Sequence, residues 1–67
     1  MTQTQYVRDA RGVCVGMLEY HDSGDVVARD SMGRYLGLYS ASENKTRDGM
    51  GRFICDGNMV ASLIHLV

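Results

Sequence analysis

The chain predicts an all-β fold: a small meander of short antiparallel hairpins, built from about three Arg-Asp-x-x-Gly repeats and closed by a C-terminal strand or short helix. Three observations carry that prediction. The phrase "RDARGVCVG" from Arg8 returns as "RDSMGRYLG" from Arg29 and as "RDGMGRFIC" from Arg47. Glycine occurs eight times and proline never, which suits tight turns between strands whose ladders proline would interrupt. Further turn signals fall between and after the copies, and closely spaced turns leave room only for short strands.

Each copy reads Asp, two variable residues, then Gly: Asp9 to Gly12, Asp30 to Gly33 and Asp48 to Gly51. Asp opening a type I turn accepts backbone hydrogen bonds, and Gly at the fourth position takes φ > 0 at little cost. The expected result is a three-residue hairpin loop closed by a glycine bulge. After each turn the residues stay in phase: Cys14, Tyr35 and Phe53, then Val15, Leu36 and Ile54, then Gly16, Gly37 and Cys55. Strict alternation puts Val15, Leu36 and Ile54 on one face, the expected core, with Cys14, Tyr35, Phe53 and the two glycines on the other. Tyr35 and Tyr39 flank Gly37, where their rings would cover the gap a strand glycine leaves.

Between copies, "HDSGD" at His21 to Asp25 reads as a turn joining "GMLEY" to "VVARD", and "SENK" at Ser42 to Lys45 does the same before "TRD". "DGN" at Asp56 to Asn58 is a tight-turn signal ahead of the last apolar run. Six or seven strands follow, in repeats of roughly 18–21 residues, a period near that of solenoid and propeller units. In the last run, Val60, Leu63, Ile64 and Val67 fit a helical i, i+3, i+4, i+7 stripe. A run this short after a tight turn favours a strand, since isolated helices under about 12 residues are marginal. The expected core is Val13, Val15, Leu36, Leu38, Ile54, Val60 and Leu63.

With 67 residues the chain makes a single domain, 1–67, and a small one. Such chains bury roughly 60% of their unfolded surface, so a partner subunit, metal or disulfide is a usual aid. Two cysteines are too few for a disulfide scaffold, the opening "MTQTQYVRD" is polar, and "MVASLIHLV" is far short of the ~20 apolar residues that span a bilayer. The expectation is a soluble, cytoplasmic protein with no membrane partner. Seven basic and eight acidic residues leave a net charge of −1, which gives no long-range attraction to phosphate polymers.

The stretch from Tyr6 to Tyr39 resembles the small bacterial and phage domains called four-fold β-flower proteins. Their pattern is an Asp-x-x-Gly turn, a glycine four residues later, and a short Asp-Gly-type turn before the next copy. Asp9, Gly12, Gly16, Asp22, Gly24, Asp30, Gly33 and Gly37 follow it in order. Beyond Ser40 the linking segment shortens and Cys55 replaces the glycine. The resemblance covers a little over half the chain. It implies hairpin petals around a pseudo-symmetric centre, brings no catalytic residue and implies no activity.

Site chemistry is weighed residue by residue. Cys14, His21, Cys55 and His65 are a zinc inventory, but no close Cys-x-x-Cys pair sets the ligand spacing, and a buried thiol packs as a small hydrophobe. A Cys14–Cys55 disulfide would close a long loop worth roughly 3–4 kcal/mol, yet a reducing cytosol prevents it. Cysteine nucleophilic catalysis with His21 or His65 needs an enclosed pocket that a small meander seldom forms. Glu19, Asp22 and Asp25 offer carboxylates for acid–base work, and the turn explains the two aspartates more simply. Calcium at "DSGD" or "DGN" lacks the required succession of oxygen ligands. No enzyme, metal or cofactor is expected.

Two binding readings remain. Arg8, Arg29 and Arg47 recur in register, and Arg34, Tyr35, Tyr39, Arg52 and Phe53 form a candidate interaction surface of the kind that holds single-stranded nucleic acid. Each of those recurring arginines has an Asp neighbour, which cancels its charge locally, so a protein-interaction module is the favoured reading and nucleic acid the alternative. The expected module self-associates, with Val60, Leu63, Ile64, Leu66 and Val67 as the candidate oligomer interface. By analogy with other small chains, a phage or mobile-element protein that binds and inhibits a host protein fits that class.

Overall fold

The computed structural model describes residues 2–64. Six strands, β1 (Gln3–Arg8), β2 (Cys14–Tyr20), β3 (Val26–Asp30), β4 (Tyr35–Ser40), β5 (Lys45–Asp48) and β6 (Phe53–Asp56), are followed by one helical turn, α1 (Ala61–Ile64). The strands form one antiparallel sheet in chain order, β1-β2-β3-β4-β5-β6. Short loops dictate that order, because a four- or five-residue connection reaches only the neighbouring position.

The repeated turns take the expected form. Gly12, Gly33 and Gly51 sit at φ +83°, +85° and +84°. Each donates its N–H to the carbonyl of its turn Asp at 2.9–3.0 Å, and each Asp N–H bonds the carbonyl of Val13, Arg34 or Arg52 at 2.9 Å. The His21 turn repeats the geometry, with Gly24 at φ +94°. At "SENK" the left-handed residue is Asn44, at φ 53°.

Past each Arg-Asp turn the register skips one residue. Val7 pairs Gly16 but Arg8 pairs Cys14; Ala28 pairs Gly37 but Arg29 pairs Tyr35; Thr46 pairs Cys55 but Arg47 pairs Phe53. Val15, Leu36 and Ile54 are therefore the extra residues of three equivalent bulges. An extra residue reverses the alternation beyond it, which corrects the expected face assignment. Gly16 and Gly37 lie on the buried face with Leu18, Val26, Ala28 and Thr46, while Cys14, Tyr35 and Phe53 stand on the other. Of the expected core, only Val60 and Leu63 are buried. Val15 and Leu36 pack partly against the core, and Leu38 is half-buried on the opposite face. Val13 and Ile54 are exposed.

The C-terminal run forms the short helix rather than the favoured strand. A strand would have buried one side of the run at the sheet edge, whereas the i, i+3, i+4 stripe puts Val60, Leu63 and Ile64 together on the sheet, 1%, 7% and 1% exposed. Burying three such side chains contributes roughly 4–9 kcal/mol gross. The predicted Val67 end of the stripe lies outside the described residues. Thr46, fully buried, ties the approach to α1: its hydroxyl donates to the Gly57 carbonyl at 2.6 Å and accepts from Met59 N–H at 3.0 Å.

The helix packs chiefly on β2, β3 and β4. A Cβ at Gly16 would stand 2.7 Å from Ile64 Cγ2, and one at Gly37 would overlap Leu63 Cδ1. The gap beside Gly37 is thus filled by Leu63, not by the flanking tyrosines. Cys55, the third copy's departure from glycine, lies on β6 beyond the helix's main footprint, so a side chain is tolerated there.

Candidate interaction surface

The helix covers one face of the sheet. On the other, cross-strand partners align into rows because paired residues share a face. One row crosses the whole sheet: Thr4, Glu19, Val27, Leu38, Arg47 and Phe53. The adjacent row is Tyr6, Met17, Arg29 and Tyr35. Met17, Val27 and Leu38 form a half-buried apolar centre, and Tyr6 (58%), Tyr35 (44%) and Phe53 (53%) are exposed around it. Arg29 Nε bonds Glu19 Oε1 at 2.7 Å, Arg47 Nε reaches Glu43 Oε1 at 3.3 Å, and Lys45 Nζ lies 5.6 Å from the centre of the Phe53 ring.

At the end of the sheet carrying the Arg-Asp turns, three loops repeat one arrangement. The turn Asp Oδ1 accepts two backbone N–H groups, from Arg11 and Val13, from Met32 and Arg34, and from Met50 and Arg52, all at 2.8–3.0 Å. Oδ2 takes a guanidinium: Arg11 at 3.2 Å, Arg34 at 2.7 Å and Arg52 at 2.9 Å. The preceding arginine closes the loop from outside, with Nη1 of Arg8, Arg29 and Arg47 on the Gly12, Gly33 and Gly51 carbonyls at 3.1–3.2 Å. These bonds to the charged carboxylate hold all three aspartates below their ordinary 3.8. The N–H of Val13, Arg34 or Arg52 is the largest cause, opposed by partial burial and aided by the guanidinium.

Of the sequence-predicted interaction residues, Tyr35 and Phe53 stand together on the helix-free face. Arg34 and Arg52 are exposed but spent on their turn aspartates. Tyr39 is elsewhere: it pairs Val26 and Thr46 on the helix side, packs on the core, and donates its hydroxyl to Asn44 Oδ1 at 2.9 Å. Val60, Leu63 and Ile64, read as an oligomer interface, are covered by the chain's own sheet; Leu66 and Val67 lie outside the described residues. Sequence reasoning missed Tyr6, Met17, Glu19, Val27 and Leu38 as surface members. Their signal was the alternation in "GMLEY" and "VVARD", where Leu18, Val26 and Ala28 go in and Met17, Glu19, Val27 and Arg29 go out.

Cys14 and Cys55 are free and lie on β2 and β6, four strand spacings or about 19 Å apart, too far to bridge. His65, the last member of the zinc inventory, lies outside the described residues. Among the described residues no group of three His, Cys, Asp or Glu side chains converges as a metal site, and no helix is long and apolar enough to cross a membrane. A groove of about 350 Å³ beside the second turn is lined by Cys14, Val15, Asp30, Met32 and Arg34, among others. Compared with known proteins, the chain matches no family model, no curated protein and no solved structure.

Proposed function

We propose that this chain is a non-enzymatic protein-interaction module that self-associates and docks through its helix-free face. One observation carries the reading: a six-stranded sheet has one face under a single helical turn and the other, with an apolar centre and aromatic rim, covered by no element among the described residues. Sheets with an apolar face bury it against a second layer, and a second copy of the chain can supply that layer. The charge pattern favours protein over nucleic acid. All six arginines donate to a carboxylate or a carbonyl, which leaves little for phosphate. In the groove Asp30 is committed to two backbone N–H groups and one guanidinium, which favours a binding reading over a catalytic one. A host protein as a further target, with the chain supplied by a phage or mobile element, extends the reading by analogy. Light scattering on a sizing column tests it: the expected mass exceeds that of one 7.4 kDa chain and falls on dilution. A single-chain mass at several hundred micromolar overturns self-association. Retention on single-stranded DNA at low salt would favour the nucleic-acid alternative.

A further inference from the structure

We infer that the partner at this face is a second copy of the chain, packed sheet on sheet about a two-fold axis parallel to the strands and midway between β3 and β4. The inference rests on the self-associating reading above and gives it a geometry. Such an axis lays β3 over β4 of the second copy, β2 over β5 and β1 over β6. Each row on the face then meets its own reverse, as an isologous interface requires. For the row Thr4–Glu19–Val27–Leu38–Arg47–Phe53, the reverse is complementary. Val27 meets Leu38 of the second copy at the centre, Glu19 meets Arg47, and Thr4 meets Phe53 at the rim. In the adjacent row, Arg29 meets the Tyr35 ring, a cation over an aromatic face.

The charges fit without rearrangement. Glu19 already holds Arg29, and Arg47 already holds Glu43. The docked pair extends these into two identical chains, Arg29–Glu19–Arg47–Glu43, each crossing the interface once. Aligned sheets cross at about −30°, which turns each sheet about 15° off the axis, so contacts near the axis stay in register while the Thr4–Phe53 pair diverges. Six strands about 4.8 Å apart, with some five residues each, present about 400 Å² in projection per copy. With side-chain relief the total buried area is about 1,200 Å², the lower end for stable interfaces, so a micromolar dimer is expected.

The test reverses each charge and mixes the products. Alone, Glu19→Arg sets guanidinium against guanidinium at both symmetric contacts of the dimer, and Arg47→Glu sets carboxylate against carboxylate at both. Each variant should dissociate at least about 100-fold more readily than the parent. Mixed one to one, the variants restore opposite charges at both contacts. At one, the introduced guanidinium meets the introduced carboxylate; at the other, the unaltered Arg47 of the first chain meets the unaltered Glu19 of the second. A heterodimer of parental stability is therefore expected. Intrachain contacts make no such prediction, because within each chain position 19 still faces Arg29, and position 47 still faces Glu43, in the mixture. Sedimentation velocity from about 5 to about 500 μM spans the micromolar range, and far-UV circular dichroism confirms folding. If a reversal unfolds the chain, Glu19→Gln and Arg47→Gln replace it; each should weaken the dimer about tenfold, and mixing should restore part of that loss, because the heterodimer keeps one Glu19–Arg47 contact and sets Gln against Gln at the other. A parent dimer that neither reversal weakens, or variants that fail to rescue each other, overturns this geometry and leaves self-association standing. A parent that stays monomeric removes the self-association reading itself.

Discussion

Gly37→Ala probes the contact on which the layering depends. The added Cβ would lie 2.5 Å from the Arg47 carbonyl oxygen and 3.3 Å from Asp48 Cα, and would overlap Leu63 Cδ1. Ordinary contact is about 3.5 Å or more, so roughly 1 Å must be found. Either β5 moves away from β4, or Leu63 turns and lifts α1. Overpacking of this kind costs about 1–3 kcal/mol, and replacing a strand glycine returns about 0.5–1 kcal/mol of backbone entropy. A net loss of about 1–2 kcal/mol lowers Tm by about 4–16 °C in a domain of this size. The assay is thermal and urea denaturation followed by far-UV circular dichroism, in the parent and in a Leu63→Ala background. Removing Leu63 relieves the overlap with the helix but not the clash with the carbonyl, so the cost of Gly37→Ala should fall by about half without vanishing. Cys55→Ala, at the equivalent position of the third copy, should change stability by less than about 0.5 kcal/mol. A Gly37→Ala protein that melts like the parent, or a cost identical in both backgrounds, refutes the placement of Leu63 over Gly37.

Gly33→Val forces a β-branched residue to φ +85° and should destabilise by about 1–2 kcal/mol, although the site has open space around it; urea midpoints check this. Thr46→Val keeps the shape but strands the Gly57 carbonyl and Met59 N–H, so a loss of about 1–3 kcal/mol is expected in the same assay. Because the Asp9, Asp30 and Asp48 carboxyls are depressed in the folded chain, the unfolded chain binds more protons in acid. Their contribution is therefore complete above 3.8 and lost as pH falls through the lower folded values. Urea midpoints should drop steeply below that point, and a triple Asp→Asn chain should show a flatter profile.

The turns were legible because their chemistry is local. Asp9 through Gly12 closes its own hydrogen bonds within five residues, and nothing distant alters that. The faces were not, because a bulge is a relation between two strands. Nothing in "VCVG" says that Val15 is left out of pairing until Arg8 has chosen Cys14 across the ladder. The same skip in all three hairpins left Val15, Leu36 and Ile54 unpaired, with the core on the face of Leu18, Val26 and Ala28. It also carried Tyr39 away from Tyr35 in the candidate surface. The helical stripe of Val60, Leu63 and Ile64 was visible in the sequence. Its weight was not, because a four-residue helix is unstable alone and gains its stability from the trough that Gly16 and Gly37 leave in the sheet.

That trough also orders events in time. Every strand pairs only with its neighbour in the chain, so the sheet assembles from contacts of short sequence separation, the kind that form fast. Seating Leu63 over Gly37 and Ile64 over Gly16 joins segments 26 and 48 residues apart, the longest closure in the architecture. Hairpins should therefore be well formed in the folding transition state while the helical turn still hangs free. Substitutions in α1 would then mainly speed unfolding, and those in the Arg-Asp turns would slow folding. In kinetic terms the one-turn helix is a latch: it adds little to the search for the fold and sets how long the fold lasts.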